Sequence, residues 1–69
     1  MNINDLRMSL SLLIDRYVTD VAAKARLNSL VARPQVPAKG ILAELEPFLI
    51  GSISQTDADI VKEIAFHFC

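Results

Sequence analysis

The amino-acid sequence predicts an all-α protein: one long N-terminal helix with two shorter helices packed back on it, paired through the first helix into a homodimer. Three observations predict it. No proline or glycine occurs before Pro34, and apolar residues recur at helical spacing through that stretch. Pro34 and Pro37 then punctuate the chain, and Ser54-Gln55-Thr56-Asp57 has the form of a helix start. The whole chain, 1–69, is read as a single helical domain, since 69 residues leave no room for a second.

The first helix is expected over about 3–32. Asn2 is placed to cap it, and Asp5 stands in its first turn, where a negative charge meets the positive end of the helix. At about 100° per residue, Ile3, Leu6, Leu10, Leu13, Ile14, Tyr17, Val18, Val21 and Ala25 form one broad stripe. Within it Leu6, Leu10, Leu13, Tyr17 and Val21 are the expected core and dimer contacts. A thinner stripe of Met8, Leu12, Ala23, Leu27 and Leu30 lies opposite, interrupted by Thr19. A helix apolar on two sides is generally covered on two sides. At about 1.5 Å per residue such a helix is about 45 Å long, more than the rest of the chain can cover. That excess is the physical ground for a homodimer or a hidden partner surface.

Arg33 to Pro37 is expected to be a turn, because Pro34 disfavours helix at Arg33 and Pro37 suits the first position of the next helix. That second helix is expected over about 38–46, with Ile41, Leu42 and Leu45 on its apolar face, Gly40 weakening it and Pro47 breaking it. Phe48, Leu49 and Ile50 make an apolar knot before Gly51. The third helix is expected over about 55–67. Ser54 caps it, Asp57 stands at the capping-box position, and Ile53 is placed to staple onto Ala58. Ile60, Val61, Ile64, Ala65 and Phe68 give its apolar face, with His67 near its negative end.

Composition narrows the functional classes. Of the residues, 52% are hydrophobic, whereas a domain this short buries only about 60% of its unfolded surface. One cysteine and one histidine allow neither an internal disulfide nor a four-ligand zinc site, so association is the remaining route to added stability. No cofactor or metal is expected. The formal charge is −1, so no strong pull toward nucleic acid or an anionic membrane is expected. Residues 1–39 carry six bases against three acids, and residues 40–69 one base against five acids. No apolar run reaches the roughly 18 residues of a membrane helix. The lone thiol and the lack of a convincing export signal point to a cytoplasmic setting.

No phosphate-binding loop or metalloprotease motif is present, and His67 and Cys69, two apart, do not face one another on a helix. An enzyme is therefore not expected. The expected function is that of a protein-binding module that docks its helical surface onto a larger partner. Arg16 and Tyr17 are candidate contact anchors because those residue types are enriched in hot spots. Asp20, four residues from both Arg16 and Lys24, joins them. Arg26 and Arg33 belong to a loose basic patch with Lys24 and Lys39, and Phe66 lies away from the Ile60–Ile64 face. The same basic patch is the basis of an alternative, a small dimeric DNA-binding regulator. A structural subunit of a larger assembly is the third reading.

In its size, its helical pattern throughout Met1–Cys69, its near-neutral charge and apolar surface and its lack of enzyme motifs, the chain resembles a group of small temperate-phage proteins. These accessory proteins bind and inhibit host regulators, among them the quorum-sensing anti-activators. No motif carries the likeness, so no binding residue is transferred. The resemblance implies an inhibitor of a host transcriptional regulator acting by occlusion.

Overall fold

A computed structural model describes residues 1–69. It contains four helices, α1 (Ile3–Tyr17), α2 (Val21–Val31), α3 (Ala38–Leu49) and α4 (Gln55–Phe68), and no strand. The all-α class is as the sequence predicts. The single rod over 3–32 is not: it is two helices, broken at Val18-Thr19-Asp20.

The break needs neither glycine nor proline. Val18 and Asp20 both have extended backbone, and the Asp20 carboxylate accepts the Ala23 N–H at 3.0 Å as the cap of α2. Asp and Thr bond readily to nearby backbone and so favour caps over helix interiors, while the β-branched Val18, Thr19 and Val21 lower local helix propensity. Folding at this point lets α2 pack on α1. The longest dimension of the protein is 27 Å, well short of the expected 45 Å rod.

The turn also shifts the apolar phase. Leu6, Leu10, Leu13, Ile14 and Val18 are buried, but α2 turns Ala23, Leu27 and Val31 inward. Val21, expected in the core, is 81% exposed. Most of both stripes therefore closes within one chain, in a core of 13 residues that Ile41, Leu45 and Ile64 complete from the other helices. Leu6, Leu10 and Leu13, expected as core and dimer contacts, are buried within the single chain. Each fully buried leucine or isoleucine contributes about 1.5–3 kcal/mol.

The ends of the helices are held by side chains. At α1, Asn2 accepts the Asp5 N–H at 2.9 Å and Asp5 accepts the Asn2 N–H at 3.4 Å, a reciprocal capping box. At the end of α2, Arg7 from α1 donates to the Val31 carbonyl at 2.6 Å and to that of Pro34 at 3.4 Å. A cation there meets both unpaired carbonyls and the negative end of the helix dipole. Helix α3 runs through Pro47 to Leu49, three residues beyond the expected stop. Pro47 lacks the N–H that Ala43 would otherwise receive, yet its ring stays on the exposed side while Leu45 and Leu49 are buried. Gly51 then takes φ +77°, and the Ser52 and Ile53 N–H groups donate to the Leu49 carbonyl at 3.0 and 3.1 Å. That left-handed turn sends the chain into α4.

Candidate functional site

Two kinds of feature lie outside the apolar core: one buried polar cluster and several exposed apolar side chains. The polar cluster joins the C-terminal end of α1 to the N-terminal end of α4. Asp57 is almost wholly buried, with Arg16 Nη1 at 2.9 and 3.0 Å from its two carboxylate oxygens. The Tyr17 hydroxyl donates a short hydrogen bond to Asp57 and accepts the Ser54 N–H at 3.3 Å. Ser54 Oγ in turn accepts the Asp57 N–H at 3.2 Å.

This is the expected capping box with a tyrosine inserted. Ser54 caps the helix as the sequence predicts, but its N–H reaches the carboxylate through the Tyr17 hydroxyl. The Tyr17 hydrogen bond, above all, holds the Asp57 carboxyl below its ordinary value of 3.8; burial opposes the shift, and the bonds and charge of Arg16, with Ser54, add to it. No buried side-chain nitrogen or oxygen lacks a partner. The cluster is a tie between helices, closed on itself.

The expected partner-binding residues do not form one patch. Arg16 and Tyr17 meet at Asp57. Asp20 caps α2. Arg26 reaches from α2 to Glu44 on α3, and Lys24 pairs with Asp15 at 3.2 Å. The basic patch needed for the DNA-binding alternative thus has two of its four cations in intramolecular pairs, with exposed Arg33 and Lys39 remaining. Phe66, whose first reading with Phe48 and Phe68 is a core plug, is instead 83% exposed, the condition under which it stands as a contact candidate, with His67 edge-on to its ring at 5.1 Å. It stands nine residues beyond Asp57, about 14 Å along the helix.

Sequence reasoning missed Met8 and Ile50, which are 72% and 71% exposed. Met8 belongs to the thinner stripe, of which Ala23 and Leu27, on α2, turn into the core while Met8 on α1 stays outside. It lies at the junction of two open depressions on α1. Met1, Asp5, Met8, Ser9 and Glu63 line one of about 360 Å³; Arg7, Met8, Ser11, Leu12 and Asp15 line the other, of about 430 Å³. Glu63 brings α4 to the N-terminal half of α1, so the two helices run antiparallel, with Phe66 one turn further along. Asp5 and Glu63 take part in no ion pair, and Arg7 is directed at the end of α2.

A second apolar concavity, of about 290 Å³, lies between α3 and α4. Glu46, Leu49, Ile50, Ile53, Ala58, Val61 and Lys62 line it. Ile53 and Ala58, the expected staple, form part of its floor.

No three His, Cys, Asp or Glu side chains converge as a metal site, and no helix is long and apolar enough to cross a membrane. Comparison with protein families, curated proteins and solved structures gave no match.

Proposed function

We propose that this protein is a non-enzymatic binding module that docks the Met8 face of α1 onto a larger, basic protein, a transcriptional regulator, and inhibits it by occlusion. The observation that carries the reading is Met8 itself. It is 72% exposed where two depressions meet, and the carboxylates of Asp5 and Glu63, neither in an ion pair, line one of them. Methionine adapts to irregular apolar partners, and carboxylates around it favour a cationic surface. The surface by which a regulator holds nucleic acid has that chemistry. Phe66, one turn beyond Glu63, extends the contact. Self-association, expected along the first helix, belongs to this reading only through a different surface, argued below.

The test is capture of a regulator from host lysate with the wild-type chain and with Met8→Lys, whose site is open to solvent. The expected result is a basic partner retained by the wild type, weakened at least about tenfold by the variant and displaced from its DNA by added wild-type protein. Capture unaffected by Met8→Lys, or direct salt-sensitive binding of this chain to DNA, overturns the proposal.

A further inference from the structure

We propose that the groove between α3 and α4 is a self-association site occupied by a second copy of this chain, with Glu46 of each copy meeting Lys62 of the other. Three observations carry it. Five of the seven lining residues are apolar, and one of them, Ile50, is 71% exposed in the turn joining the helices. The same surface thus carries both a projecting apolar side chain and a concavity that receives one. The two walls end in opposite charges, Glu46 on α3 and Lys62 on α4, and neither takes part in an ion pair within the chain.

A two-fold axis through the groove exchanges its walls. In such an isologous contact, whatever one patch offers the other must receive. An apolar centre with one acid and one base on opposite rims meets that condition, since the rotation sets each acid against the partner's base twice over. Ile50 of each copy then packs against the groove of the other. A partner of single-sign charge would leave one of the two rims opposed by a like charge.

The chain exposes 4379 Å² in all. A standard interface takes about 800 Å² from each partner, near a fifth of that surface. A seven-residue groove falls below this, in the class of weak and reversible contacts. The dimer therefore forms at high concentration from a chain that is already folded. This inference does not rest on the Met8 surface, and Ile50→Asp, in the turn between α3 and α4, leaves Asp5, Met8 and Glu63 unchanged.

The experiment is sedimentation velocity on the full chain from about 10 μM to about 1 mM, with folding followed by circular dichroism. The wild-type mass is expected to rise from 7.6 kDa toward twice that value. Glu46→Lys and Lys62→Glu each place like charges across both rims and weaken the dimer at least tenfold. The double variant E46K/K62E restores the opposite pairs at unchanged net charge and returns to within about threefold of wild type. Ile50→Asp abolishes the dimer. A monomer at every concentration overturns the proposal, as does a dimer that survives Ile50→Asp or a double variant no tighter than the singles.

Discussion

Leu13→Ala distinguishes a core made within one chain from a seam between two. Leu13 is 0% exposed in the single chain and belongs to the 13-residue core. Truncating a leucine so placed removes its burial and leaves a cavity, a loss of about 2–5 kcal/mol. At roughly 0.05–0.15 kcal/mol per residue, a chain of this length holds about 3–10 kcal/mol in total. The loss is a large fraction of that total, and a loss of about 3 kcal/mol lowers the melting midpoint by about 12–24 °C.

The informative quantity is the stability gap between wild type and variant, measured by urea unfolding at two protein concentrations about a hundredfold apart. For a side chain packed inside one chain that gap is the same at both. For one packed between two chains, where truncation leaves the variant monomeric, mass action widens it by about half of RT ln 100 per chain, or about 1.4 kcal/mol, at the higher concentration. A gap that widens with concentration, or one below about 1 kcal/mol, refutes the placement of Leu13 in a monomer core.

Two further outcomes follow from local geometry. Gly40 sits in α3 with nothing within 4 Å of an added Cβ, so Gly40→Ala is expected to stabilise the protein by about 0.5–1 kcal/mol in thermal or urea unfolding. A loss of stability there refutes the helix through that position. The depressed Asp57 pKa gives stability that is present above the ordinary value of 3.8 and is lost as pH falls through the lower folded value. The gap between wild type and Asp57→Asn is therefore expected to narrow below pH 3.8. A gap that stays constant down to about pH 2 contradicts the inter-helix tie.

Much of the fold is legible in the sequence because its signals are local. Asn2 with Asp5, the Pro34–Pro37 turn, Gly51 and Ser54 act on their own or adjacent turns, and each marks a boundary within a residue or three of where it falls. The break after Tyr17 is local too, but its signal is weak. Thr19-Asp20 reads equally as a polar interruption of a continuous helix or as a cap, and only the burial of Leu27 and Val31 against α1 decides between them. The run through Pro47 has the same character: the cost of the missing bond is readable, while the gain from burying Leu49 depends on α4. The site was less legible still. The sequence suggests Arg16 and Tyr17 as contacts for a partner protein, whereas both bond Asp57, 41 and 40 residues away at the first turn of α4. No periodicity reports a pairing of that separation, and the capping role of Asp57 supplied a sufficient local account of its presence.

The break at Val18–Asp20 also changes what the high apolar content means. A continuous rod would expose one long stripe, which demands a permanent partner of matching length. Once the chain folds back there, most of that stripe is internal, and what stays outside is separated. Met8 and Phe66 lie where the N-terminal half of α1 meets the far part of α4, and Ile50 lies at the turn between α3 and α4. Each patch is small and bordered by charge. Small patches give weak individual contacts whose specificity comes from the bordering charges rather than from area. The apolar excess that first suggests an obligate assembly is therefore equally compatible with separate reversible contacts, the arrangement proposed above: Glu46 and Lys62 toward a second copy, Asp5 and Glu63 toward a cationic protein.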